Sequence, residues 1–276
     1  MSTLKEWIDE CFSKELKDVP HKPKGAINVV VYDKTNVPPP GAVTLGDRVK
    51  SVIDPHQSLT FWWKLGSFID QLQAFADYSV GAASWEEAFN GVNDAVSREA
   101  KKTGQPVTIA SLQFWGHGSS GHAYMGDGTS LSKKTLAPGG TFHDLAVKTA
   151  SHLHRTQGHV WFRCCTPFQG TAGQDFARAA SAIFVVPVIG HTFIIHALQS
   201  GTEVLLPGAQ PNWDTDEGIH KRGKHKSDDI ISSPWRRRTV TMFRLYPPLD
   251  PGDIVLPSGL LGAIERGISR ITDDDE

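Results

Sequence analysis

Val107-Thr-Ile-Ala-Ser-Leu-Gln-Phe-Trp-Gly-His-Gly-Ser-Ser-Gly121 and His159-Val-Trp-Phe-Arg-Cys-Cys-Thr-Pro-Phe-Gln-Gly170 are the two stretches on which the reading of this chain turns. Each opens with a short run of β-branched and aromatic residues that breaks off into small or polar ones. Such runs are too short for a stable helix and suit a buried strand. They predict strands over Val107–Trp115 and His159–Cys164. Between them, Thr141-Phe-His-Asp144 caps a helix that continues through Leu145, Ala146 and Leu153 to Arg155, with Gly158 after it. Upstream, Ser84-Trp-Glu-Glu87 has the form of a capping box and opens a helix to about Lys102, with Gly104 just past its end. Ala26 to Tyr32 reads as a strand, Gly170 to Ala182 as a helix, and Ile183 to Ile189 as a further strand. Strand and helix thus alternate, which requires crossover connections and a largely parallel sheet covered by helices. Pro187 cannot donate to a ladder, so the last of these strands is expected at an edge or with a bulge.

The flanks are less regular. Leu4, Trp7, Ile8, Cys11 and Phe12 share one face of an N-terminal helix over Leu4–Leu16, which Pro20 ends. Pro38-Pro39-Pro40-Gly41 is a loop, a helix is expected over Leu65–Ala76, and Phe61-Trp62-Trp63 reads as core. Beyond residue 206, the expectations are a charged, turn-rich stretch over 214–238, a late strand over Thr239–Tyr246, a helix over Leu260–Ile271 and a solvated Asp273–Glu276. The resulting plan is an N-terminal helix (1–24), an α/β core (25–206) and a C-terminal extension packed on it (207–276).

Composition limits the function classes. With 39% hydrophobic residues over 276 positions the chain can bury a core, and a net charge of −2 argues against a dedicated nucleic-acid or membrane-surface binder. No apolar run approaches the ~20 residues that span a bilayer. The N-terminus carries no signal-peptide pattern, so the protein is expected in the cytoplasm. Three cysteines (Cys11, Cys164 and Cys165) are too few for a disulfide framework, and adjacent cysteines rarely bridge each other. Twelve histidines supply groups that titrate near neutrality.

In an open parallel sheet, functional groups collect where the strands end, at the carboxyl edge. The first strand ends in Gly116-His117-Gly118, which displays an imidazole on an unobstructed backbone; the same tripeptide also reads as a polar turn. The second ends in Cys164-Cys165 with a helix following. A helix N-terminus and a nearby histidine both favour the thiolate, the nucleophilic form, whereas a buried cysteine is often inert packing. Two consecutive parallel strands ending in histidine and in cysteine would bring base and nucleophile together.

Strand–Gly116-His117-Gly118, a helix, then strand–cysteine–loop–helix resembles the caspase-fold (clan CD) cysteine peptidases, which include caspases, metacaspases, gingipains and bacterial CHAT domains. The likeness spans about residues 25–206, with specific motifs around 108–122 and 158–177. Gly116-His-Gly-Ser-Ser-Gly121 through Gly170-Thr-Ala-Gly-Gln-Asp-Phe176 also resembles a caspase-like bacterial domain of large surface proteins. The resemblance implies a caspase-like three-layer sandwich with a mostly parallel central sheet. It also implies a His–Cys dyad cleaving peptide bonds, with His117 as the base or charge partner. Cys165 is five residues before Gly170, as family patterns have it, while Cys164-Cys165-Thr166 fits the CHAT pattern through Cys164. Cys165 is the preferred nucleophile and Cys164 the alternative. Backbone N–H groups around Gly116, Gly118 and the cysteine would form the oxyanion site. Arg163, two residues before Cys165, would line the substrate pocket and read an acidic side chain, or else pair with a local acid. His191, after a further strand, could line the same edge and contact substrate, or serve a structural role.

Alternatives remain. The fold could serve as a catalytically silent binding or scaffold module, since fold does not settle activity. A metal-dependent hydrolase using His117, His122 and the two thiols has suitable ligand types but lacks any paired ligand motif. His152 and His154, two apart on a helix, diverge. His220-Lys-Arg-Gly-Lys-His-Lys226 is basic, yet residues 214–238 hold seven Lys/Arg against five Asp/Glu and read as a solvated loop open to nicking. The expected partner is a polypeptide substrate, with no cofactor, metal, nucleic acid or membrane.

Overall fold

The computed structural model describes residues 22–35, 76–196, 198–242, 244, 246 and 247. Six strands form the central sheet: β1 (Ala26–Asp33), β2 (Tyr78–Ala82), β3 (Thr108–Trp115), β7 (His159–Arg163), β8 (Val188–His191) and β10 (Thr202–Leu205). Their order is β10-β8-β7-β3-β1-β2. All pairs are parallel except β10 with β8, which is antiparallel. The protein is therefore α/β, with a central, mostly parallel sheet, as the alternation predicts.

Crossovers supply the helices. Helix α1 (Trp85–Thr103) joins β2 to β3. Its N-cap is Ser84, whose Oγ accepts the Glu87 N–H at 3.1 Å, while the Glu87 carboxylate turns back to accept the Ala83 N–H at 2.8 Å. It stops at Gly104, which takes φ 66°, a value costly to any residue with a Cβ. Its apolar stripe, Trp85, Phe89, Val92 and Val96, is buried against the sheet. Each of these large side chains contributes roughly 1.5–3 kcal/mol. After β3 the chain forms a small sheet, β4 (His117–Ser119), β5 (His122–Tyr124) and β6 (Ser130–Ser132), in that order. Helices α2 (Lys133–Leu136) and α3 (His143–Ala150) then lead to β7, and α4 (Gly170–Phe184) leads to β8. Val29, Val31, Leu112, Phe114, Val160 and Phe162 meet α1, α3 and α4 in the main core. Alternation along β7 sends Trp161 and Arg163 to the opposite face, where Trp161, Ile189 and Val240 form a second cluster.

Several expected boundaries move. The small sheet β4–β6 is not expected from the sequence, because its Gly, Ser and His content masks the alternation. Helix α3 ends at Ala150, before the expected Arg155, and has no side-chain cap; Leu153 instead bridges to Ile109. Helix α4 runs two residues past Ala182, and Val185 closes it at φ 53°. Pro187 thus stands just outside β8, where its carbonyl accepts the Val160 N–H and its missing N–H costs nothing. The strand it precedes lies between β7 and β10 rather than at the edge. Among the described residues of the late strand, Val240–Thr241 form β11, paired with β9 (Leu198–Gln199). One further short helix, α5 (Lys226–Ile230), follows the basic run. The expected helices over Leu4–Leu16 and Leu260–Ile271, the loop at Pro38–Gly41, the aromatic Phe61-Trp62-Trp63 and nearly all of Leu65–Ala76 lie outside the described residues. Among the described residues no helix is long and apolar enough to cross a membrane.

Candidate active site

Strands β3 and β7 are hydrogen-bonded neighbours whose register closes with Trp115 opposite Arg163. The residues that follow, Gly116-His117 and Cys164-Cys165, therefore leave the sheet side by side at its carboxyl edge. The backbone of β4 then runs directly over the cysteine pair. A Cβ on Gly118 would come within 2.5 Å of the Cys165 carbonyl oxygen and 2.8 Å of the Cys164 Sγ. Glycine is required there because any side chain would lift the histidine strand off the cysteines.

The turn after β4 is tied to the loop after Cys165. The Gly121 N–H donates to the Pro167 carbonyl at 3.1 Å, and the Ser120 hydroxyl donates to the Gln169 carbonyl at 2.6 Å. The cysteine loop itself bends sharply. Thr166 takes φ 55°, unusual for a β-branched residue and costing on the order of 1 kcal/mol. It is held there because its N–H donates to the Phe193 carbonyl at 3.2 Å and its carbonyl accepts the Gln169 N–H at 3.1 Å. Phe168 anchors the far side of the bend: its ring stacks on Trp213 at 5.6 Å and its carbonyl accepts the Trp213 indole N–H at 2.9 Å.

The two thiols differ. Cys164 is fully buried beneath Gly118, and burial, with the adjacent thiol, pushes its pKa well up. Cys165 is half-buried, with Sγ 3.9 Å from the Ile195 carbonyl oxygen, a weak contact of the S–H type. Burial raises its pKa too, and the Ile195 contact only partly opposes this. At neutral pH the resting Cys165 is a thiol, not a thiolate.

Across the β4–β5 ladder, His117 is paired with Tyr124, and Ser119 with His122. The Tyr124 hydroxyl meets Ser119 Oγ at 3.1 Å, and His122 Nδ1 meets Ser130 Oγ at 2.9 Å. His117 thus belongs to a platform of hydroxyl and imidazole groups; the residue is half-exposed while its Nε2 is buried. The sequence gives no warning of this platform, because the partners of His117 are fixed by hairpin register and not by spacing to a motif.

Two expected site residues are placed elsewhere, and both expectations are corrected. Arg163 does not face the cysteine edge. It is 1% exposed, sandwiched with its guanidinium carbon 4.1 Å from the Trp115 ring and 4.2 Å from the Trp161 ring. Its N–H groups donate to Gln113 and Gln199 side chains and to the carbonyls of Thr241, Met242 and Arg244. A guanidinium so enclosed cannot read a substrate carboxylate. His191, at the end of β8, is fully buried. Its Nε2 accepts the Trp161 indole N–H at 3.1 Å, which fixes Nδ1 as the protonated nitrogen, 3.3 Å from the Ser200 carbonyl. Burial and the Arg163 charge push its pKa down to about 3, so it is a neutral structural imidazole. Arg163 and His191 share the sheet face opposite the main core, as alternation from Trp161 dictates.

Among the described residues, no group of three or more His, Cys, Asp or Glu side chains is placed to hold a metal ion, and His122 is turned to Ser130. The structure therefore brings the backbone of Gly116, His117, Gly118, Cys164 and Cys165 to one edge, keeps His122 on the hairpin beside His117 but turned to Ser130, and separates Arg163 and His191 from them. Comparison of the chain with protein families, with curated proteins and with solved structures finds no match.

Proposed function

We propose that the protein is a caspase-like cysteine endopeptidase, a three-layer sandwich in which Cys165 is the nucleophile and His117 its proton partner. The observation that supports this reading is the register of β3 beside β7, with the backbone of Gly118 seated on the Cys164-Cys165 strand end, so that the chain at His117 and the chain at Cys165 leave the sheet at the same edge. Of the two cysteines, Cys165 is the one that is not fully enclosed, its residue being half-buried where Cys164 is buried. In the reaction, Cys165 Sγ attacks the carbonyl carbon of a peptide bond as its proton passes to His117. The C–N bond then breaks, and His117 gives that proton to the leaving amine. Water hydrolyses the thioester and restores the thiol. The acidic preference once expected through Arg163 is not part of this proposal.

A second reading, a catalytically silent module, draws on the raised pKa of Cys165, since a resting thiol is a poor nucleophile until its proton is removed. A peptidyl electrophile separates the two. Labelling lost in Cys165→Ala, retained in Cys164→Ala and slowed in His117→Ala, without sensitivity to chelator, supports the peptidase. No labelling across pH 6–10 leaves the silent module.

A further inference from the structure

We propose that Gln169 is the positioning residue that sets Cys165 and His117 relative to one another, an inference that rests on the Cys165–His117 reading. Gln169 stands at the N-cap of α4 but does not cap it with its side chain. A capping side chain is worth about 1 kcal/mol, so this position forgoes a local gain and its amide is used elsewhere. Both Nε2 hydrogens go to backbone carbonyls, Thr192 O at 3.2 Å and Gly218 O at 2.5 Å. The amide orientation is fixed chemically, because the flipped form would set Oε1 against two carbonyl oxygens.

The backbone of the same residue makes three further bonds. Its N–H donates to Thr166 O at 3.1 Å, and its carbonyl accepts the Ser120 hydroxyl at 2.6 Å and the Gly173 N–H at 3.0 Å. Four segments converge on this one residue. Thr166 follows Cys165 directly. Ser120 is on the turn that carries His117. Thr192 begins the loop whose Ile195 carbonyl takes the Cys165 thiol. Gly218 belongs to the loop that continues from Trp213, and there a Cβ would collide with Thr192 O. Gln169 is thus the joint through which a shift of the cysteine loop is passed to the histidine turn.

The test is the rate of Cys165 alkylation by iodoacetamide against pH in the full chain, read by mass spectrometry separately from Cys164. It compares wild type, His117→Ala, Gln169→Met and Ser120→Ala. Gln169→Met keeps the volume and removes both donors; Ser120→Ala removes only the hairpin tie and guards against a fold failure in the first variant. The expected result is that His117→Ala moves the Cys165 midpoint, and that Gln169→Met moves it the same way by about half a unit or more, roughly threefold in thiolate at a given pH. Ser120→Ala should move it less, and the double variant His117→Ala/Gln169→Met no further than His117→Ala alone. A merely structural role would speed alkylation of both cysteines without moving the midpoint. A wild-type profile in Gln169→Met or, if that variant does not fold, in Ser120→Ala, alongside a shifted His117→Ala, overturns this inference alone. An unshifted His117→Ala overturns the dyad and this inference with it.

Discussion

Replacing Arg163 by methionine should cost the protein about 4 kcal/mol of stability and leave substrate preference unchanged. The size follows from what the side chain holds. Among the described residues its guanidinium makes five hydrogen bonds of 2.7–3.2 Å. Three of the acceptors are main-chain carbonyls of residues 241, 242 and 244, so one side chain fastens that segment to β7. Hydrogen bonds to a charged group contribute roughly 1.5–3 kcal/mol each, but they are not additive, and water recovers part of the loss. These five partners are neutral, so Arg163→Met deprives buried carbonyl and amide acceptors of a donor at about 1–3 kcal/mol each, partly recovered by relaxation and by relief of a buried charge. The two flanking indoles add a cation–π share of about 1–2 kcal/mol. Against a total stability of roughly 5–15 kcal/mol, such a loss brings the fold near its threshold. Arg163→Lys keeps the charge but not the planar fork and should lose about half as much. Urea denaturation with an unchanged m-value reads both numbers. A loss below about 1 kcal/mol for Arg163→Met would refute the reasoning, as would a stable variant whose cleavage preference changes.

His159 and His191 are both fully buried and held neutral, at about 4 and about 3 against an ordinary 6.5. Because both values fall on folding, the unfolded chain binds more protons below pH 6.5, and stability drops as pH falls through that window. Together they should remove about 2.5 kcal/mol between pH 7 and 5.5, as measured by urea denaturation at the two pH values. Replacing either by an isosteric neutral residue should halve the slope; an unchanged slope would show that they do not carry it. Gly118→Ala places a methyl where the Cys165 carbonyl and Cys164 Sγ already stand, and should cost about 1–3 kcal/mol together with a tenfold or greater loss of Cys165 labelling. Labelling at the wild-type rate would mean that the β4 seat does not matter. Cys164→Ala, which empties a small buried volume, should cost only about 1 kcal/mol and leave labelling by a peptidyl electrophile in place, whereas Cys165→Ala abolishes it.

Residues with local signatures are where sequence and structure agree best. Ser84, Glu87 and Gly104 delimit α1 because capping and a left-handed terminus are chemistry within a few residues of the helix end. The runs from Val107 and from His159 are strands because short β-branched segments bounded by turns have few other uses. The placement of Gly116, His117, Gly118, Cys164 and Cys165 at strand ends was legible for the same reason. Arg163 shows where such reasoning stops. Its position before Cys165 suggests a pocket, yet Trp161 two residues earlier and Trp115 across the ladder already mark the face it shares, and that face is closed by the carbonyls of residues 241, 242 and 244.

By itself, then, the sequence determined the α/β alternation, the strand ends that carry histidine and cysteine, and the helix boundaries set by caps. Tertiary structure alone decided which cysteine is the less enclosed, which arginine and histidine are buried, and that Gln169 hydrogen-bonds to segments far apart in the chain. Those outcomes depend on contacts between segments separated by tens of residues. Register across β3 and β7, the fold-back of β4 and the return of the chain near residues 192, 218 and 242 set the burial and hydrogen bonding of each side chain. No local pattern encodes those distances.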